Sequence, residues 1–318
     1  MKSSGDLWTI VLAAGEGSRL RELTLDPSGD PVPKQFWRID QNRTMLQWAM
    51  DRARRQSRSD RVVPVVAAKH RRFWKEEFRS LPAANLVIQP ENRGTAAGIL
   101  LPLLRVLTLD PHATVVVLPS DHYVANEDVL ERSLRRARLV VEAEPQKVVL
   151  LGMTPSHADT ELGWIQPTST GGWARPVEAF VEKPAAELAQ ELWRKGALWN
   201  SFMFVAKAMT LVSLYEESQR ALLAAFINRI EAGGWSVSNL ERLYEEIPSI
   251  DFSRGVLQPS PAALAVLSVP ACGWSDLGTP PRVAAWRQAA PIVGPSAPRR
   301  FVRRPTPVAS PALSPAFA

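Results

Sequence analysis

Short apolar runs recur through the first half of the chain at 7–14, 61–68, 85–89, 114–118 and 147–153. Between them, apolar residues at helical spacing mark 44–56, 70–79, 95–107 and 126–143. Thr44 with Gln47 three residues on, and Asn126 ahead of an acidic first turn, have the chemistry of helix N-caps. Near-continuous Val/Ile/Leu strands alternating with helices predict a mostly parallel sheet covered on both faces. Such sheets bind ligands at the carboxyl ends of their strands. The pattern changes after 153. Short strands are expected at 163–166, 177–181 and 202–205 around one helix, then a long helical stretch at 209–232 and a loop-rich closing segment to about 290.

From 291 the chain loses large apolar side chains and carries 7 of the 27 prolines. That composition buries too little surface to offset ordering entropy, so 291–318 is expected to be a disordered Pro/Arg-rich tail. The tail also explains the charge. The formal net charge of +6 falls to +2 once the tail's four arginines are set aside, so nucleic acid is not an expected partner. One cysteine, Cys272, excludes an internal disulfide and a multi-thiolate zinc site, and none of the four histidines stands in HExxH. The longest apolar run is too short for a membrane span and the N-terminus has no secretory core, so a cytoplasmic address is expected.

Several segments carry candidate chemistry. The first strand runs into GEGSRL at 15–20, where two glycines allow tight turns and let backbone N–H groups approach a phosphate, and Arg19 adds charged donors. Leu20 breaks the GxGxxG dinucleotide fingerprint, and there is no GxxxxGK[ST] loop. PKQF at 33–36 offers Lys34 as a second cation for the same polyanion. LPSDH at 118–122 sets Asp121 at the end of a central strand, where a carboxylate can hold magnesium. FVEKP at 180–184 presents Glu182 and Lys183, LWNSFMF at 198–204 presents Asn200, and GWSDLG at 273–278 presents Asp276.

Taken in order, with QPENRGTAAGI at 89–99, DTELGWI at 159–165 and PSIDF at 248–252, these segments resemble the sugar-phosphate nucleotidyltransferases, and within them the mannose-1-phosphate guanylyltransferases. The resemblance spans about residues 7–288. It implies a nucleotide-diphospho-sugar transferase fold: a Rossmann-like, mostly parallel central sheet flanked by helices, with a smaller antiparallel sugar-binding subregion. Residues 1–290 would form the transferase domain, about 7–153 for the nucleotide and about 154–290 for the sugar phosphate. The implied reaction joins GTP to mannose 1-phosphate and releases diphosphate, with Mg2+ as cofactor. Ala13, Ala14, Gly15, Gly17 and Ser18 would bind the nucleotide, with Gln89, Gly94 and Thr95 facing its base. Arg19 and Lys34 would act on the phosphates, and Asp121 and Asp276 would share the metal. Gly163, Glu182 and Asn200 would meet the sugar hydroxyls, and Lys183 the sugar phosphate. A homo-oligomer is compatible with the resemblance.

The chain departs from the family pattern in places. Ala14 and Ser18 replace Gly and Thr, and NRGTAAGI at 92–99 replaces GRNTAPAI in the base-facing loop. Leu162 replaces a tyrosine beside the sugar, and Gly255 follows Arg254 where an acid is expected. The chain is also too short for the C-terminal β-helix or cupin-like isomerase domain of some relatives, so no isomerase activity is expected. Two alternatives stay open: another nucleotide and sugar 1-phosphate pair, or a non-catalytic paralogue that binds a nucleotide sugar and regulates a partner.

Overall fold

The computed structural model describes residues 6–289 except 27, 40 and 41, and the backbone alone for 18 and 289. The tail predicted from 291 lies outside the described residues.

Within them the strands are β1 Leu7–Ala13, β2 Val62–Ala67, β3 Val87–Gln89, β4 Thr114–Pro119, β5 Val148–Met153, β6 Gly163–Pro167, β7 Ala174–Glu182, β8 Leu198–Lys207 and β9 Leu264–Val269. They form one sheet in the order β3-β2-β1-β4-β8-β5-β9-β7-β6, and β6 also pairs with β8, so the last five strands close on themselves. Alternate residues along each strand serve opposite faces. Ile10, Val115, Val117, Val148 and Leu150 belong to one core with the helices Gly94–Leu109, Ala208–Ser218 and Arg220–Gly233. Val11, Val116, Leu118, Val149 and Leu151 belong to the other, with Met45–Gln56 and Glu127–Ala143. This is the period-2 signature of a sheet buried on both sides. Both predicted caps form: Thr44 and Gln47 make a reciprocal capping box, and Asn126 accepts from Val129 N–H.

The sheet is mixed rather than mostly parallel. Among the described residues, β1 with β2, β1 with β4, β2 with β3 and β5 with β9 pair in parallel, and the other five pairings are antiparallel. After the β6–β7 hairpin and the helix Ala186–Arg194, β8 enters the space between β4 and β5 and runs against both. This insertion brings the start of β8, with Asn200, to the edge where β1 and β4 end. Three smaller expectations also change. The helix expected at 70–79 is α-helical only over Arg71–Trp74, the helical stretch at 209–232 is two helices broken at Gln219, and the closing segment contains an internal strand, β9.

Candidate active site

The loop after β1 is held by residues that follow it. Gly17 has φ +62°, and a Cβ there would lie 2.7 Å from the Lys34 backbone nitrogen, so only glycine lets the loop pack against the 34–36 turn. Gln35 is buried, and its side-chain amide donates to the carbonyls of Ala13 at 3.0 Å and Gly15 at 2.9 Å. Gln35 therefore fixes the loop's entry, a role the sequence did not single out although PKQF contains it. Ala14 and Gly15 face a cavity of about 330 Å³ that Gln89, Gly94, Thr95, Gly98 and Asp251 also line. Gly94 has φ +78°, and a Cβ there would collide with the Ile250 carbonyl. Thr95 Oγ1 donates to Asp251 and accepts from Phe252 N–H, 2.7 Å away. The Gln89 amide donates to the Tyr244 hydroxyl at 2.9 Å. The three residues expected at the base thus share one cavity with the glycine loop.

Lys34 is 95% buried, and its Nζ donates to Asp121 Oδ2 at 2.9 Å and to the backbone carbonyl of Asp276. Burial alone would raise Asp121, but the Lys34 charge, His122 and the Lys34 hydrogen bond hold it below the ordinary carboxylate value. Burial drives the His122 imidazole down to about 4, against the pull of Asp121, so it is neutral at pH 7. Trp274 donates to its Nδ1 at 3.3 Å, and its Nε2 faces Asp121 Oδ1 from 3.8 Å. Asp276 comes to Asp121 because an antiparallel bridge joins Tyr123 to Ser275.

The sugar-side residues also converge. Gly163 lies opposite Glu182 in the β6–β7 register, and a Cβ on Gly163 would sit 2.5 Å from Glu182 Oε2 and 3.3 Å from Asn200 Cβ. Asn200 is buried, accepts from Phe202 N–H at 3.0 Å and reaches toward Ser253 at 3.5 Å. Burial, with the nearby Asp251 charge, pushes Glu182 up to about 7 despite the opposing Lys183, Arg254 and Ser253.

Two expected residues stand apart. Arg19 is 57% exposed and pairs with Glu161 at 2.8 Å rather than joining Lys34. Lys183 is exposed, acting on Glu182 by its charge. The backbone is strained beside the site: Lys183, Phe202 and Leu277 have φ of +48°, +58° and +46°. They follow Glu182, Asn200 and Asp276 within two residues, and such conformations cost about 1–3 kcal/mol each. No sequence motif announces them.

Residues 8–289 match the nucleotidyl transferase family. The chain belongs to that family. Among similar family proteins, the xanthan biosynthesis protein XanB of Xanthomonas campestris pv. campestris (strain B100) is 30% identical over 286 residues, 86% of this chain and 58% of the relative. The mannose-1-phosphate guanylyltransferase ManC of Salmonella typhimurium is 29% identical over 286 residues, with the same coverage. The crystal structure of a mannose-1-phosphate geranyltransferase from Thermus thermophilus superposes with a TM-score of 0.72 at 27% identity, covering 86% of this chain and 76% of that one. The chain spans 58% of the length of XanB and of ManC. Among the described residues no helix is long and apolar enough to cross a membrane.

Proposed function

We propose that the chain is a mannose-1-phosphate guanylyltransferase, converting GTP and α-D-mannose 1-phosphate to GDP-mannose and diphosphate. The observation that carries this reading is the order of parts along one sheet edge. The cavity walled by Gly15, Gln89 and Thr95 lies over β1–β3, Lys34 with Asp121 and Asp276 stands at the end of β4, and Gly163, Glu182 and Asn200 lie beyond at β6–β8. A nucleotide laid from the cavity toward the sugar residues brings its α-phosphate to Lys34.

A sugar phosphate is mostly dianionic near pH 7, with a second pKa of about 6, so it attacks without a general base. The barrier is repulsion between two anions and the need for in-line approach. Lys34 is preset for the first task by burial and by its two acceptors. The N–H groups of the glycine loop and Arg19, released from Glu161, add donors for the phosphates. Glu182 and Asn200 orient the sugar, and Lys183 meets its phosphate.

The donor set suits magnesium. Magnesium commonly takes one or two carboxylates together with substrate phosphates, and the Lys34 ammonium touches two aspartates, Asp121 by its carboxylate and Asp276 by its backbone carbonyl. Asp121 and Asp276 would hold it, and it would supply charge cancellation at the α-phosphate. A carboxylate engaged by Arg282, as Asp276 is, keeps further lone-pair positions.

The test is diphosphate release, with added magnesium, from GTP, ATP, UTP, dTTP and CTP paired with mannose, glucose, galactose and fucose 1-phosphates. Dominant turnover of GTP with mannose 1-phosphate is expected. Another dominant pair would overturn the substrate assignment, and silence with bound GDP-mannose would favour a regulatory paralogue.

A further inference from the structure

Arg282 belongs to none of the segments that carry the family resemblance, yet it bonds two carboxylates at the site. It stands in the first turn of the helix Pro280–Ala289. Its Nη1 lies 2.7 Å from both carboxylate oxygens of Asp276, and its Nη2 donates to Asp159 Oδ2. The three side chains are 17%, 15% and 8% exposed, so this is a nearly buried acid–base–acid triad.

The triad is held from both ends. Val283, next to Arg282, packs with Leu277 and with Leu20 of the glycine loop. Asp159 accepts from Glu161 N–H at 2.7 Å and meets His157 Nε2 at 3.0 Å. Glu161 in turn pairs with Arg19. A Cβ on Gly278 would strike the Asp276 carboxylate, so glycine leaves room for this one pose.

We propose that Arg282 is a positioning residue that presets Asp276 and competes with the metal for it, so that the site takes its cation only together with the nucleotide phosphates. Before nucleotide arrives, Lys34 and Arg282 already neutralise most of the charge of Asp121, Asp276 and Asp159. A divalent ion entering alone must share Asp276 with a nearly buried guanidinium of like charge, and the repulsion between the two cations is costly. A triphosphate brings enough negative charge to reverse that balance. Asp159 sets the competition, because it draws Arg282 away from Asp276. The inference rests on Asp121 and Asp276 being the metal carboxylates.

The test is Mn2+ binding to the full chain, followed by electron paramagnetic resonance with and without GTP. Arg282→Gln should bind Mn2+ at least tenfold tighter than wild type without nucleotide. Asp159→Asn should shift binding the opposite way, because Arg282 then serves Asp276 alone. In turnover, Arg282→Gln should lower kcat with little change in KM for the sugar phosphate, and Arg282→Lys should recover part of the loss. Should Arg282→Gln fail to fold, the Asp159→Asn shift decides the question. Wild-type Mn2+ affinity in Asp159→Asn and in any folded Arg282→Gln would overturn the inference alone. No Mn2+ binding to wild type even with GTP would overturn the metal assignment and the inference together.

Discussion

Glu182→Gln should make the protein more stable at pH 8 and leave it nearly unchanged at pH 5. The Glu182 carboxyl is pushed up to about 7 from an ordinary 4.5, first by burial against β6 and then by Asp251. Lys183, Arg254 and Ser253 oppose the shift without cancelling it. Because the folded-state pKa is raised, the stabilising contribution of the protonated acid is complete below about 4.5 and is lost as pH rises through about 7. The shift corresponds to about 3 kcal/mol against the ionised form. Solvent at the mouth of the site screens part of this, leaving about 1–3 kcal/mol. Glutamine keeps the shape and never ionises. Urea unfolding followed by tryptophan fluorescence at pH 5 and pH 8 measures the gap. An equal difference at both pH values would refute the reasoning. The same variant should lose kcat/KM for the sugar phosphate at pH 8, since a carboxylate accepts hydroxyl hydrogen bonds more strongly than an amide. In wild type, that kcat/KM should fall below pH 7 more steeply than protonation of the sugar phosphate alone predicts.

Gln35→Ala removes both donors that pin the Ala13 and Gly15 carbonyls, at about 1–3 kcal/mol; KM for the nucleotide should rise about tenfold or more, read by initial rates. Gly94→Ala forces a Cβ into the Ile250 carbonyl at a left-handed φ, and should cost about 2 kcal/mol or more, visible as a lowered Tm. Asp276→Ala should abolish magnesium-dependent turnover while the far-ultraviolet circular dichroism stays native; near-normal kcat would remove Asp276 from the metal site. Chelation with EDTA should stop turnover and leave Tm unchanged within a degree or so, because buried apolar faces, not an ion, hold the sheet.

Much of the candidate site was legible because it depends on local chemistry. Glycines at Gly17 and Gly94 are needed where backbone meets backbone, and an Asp at the end of an apolar run, as at Asp121, reads as a strand terminus facing the ligand edge. The strands of the first half were readable as short, near-continuous apolar runs. Where a segment combines a short apolar run with Pro and Ser on both sides, as around β9, sequence pattern cannot separate a buried strand from a packed loop, and the strand was missed.

What the sequence determined by itself is an α/β chain with nucleotidyl transferase segments in family order and the residue types for handling two phosphorylated substrates. Only the tertiary structure decided the company those residues keep. The antiparallel insertion of β8 carries Asn200 to the end of β4, and the Tyr123–Ser275 bridge carries Asp276 to Asp121 from the far end of the folded chain. Arg282 engages Asp276 and Asp159 from a helix with no motif of its own, and Arg19 faces Glu161 rather than Lys34. The physical reason is that hydrophobic periodicity specifies which face of each element is buried, whereas the pairing of charges depends on how distant elements dock. Docking is a property of the packed whole and leaves no period in the chain.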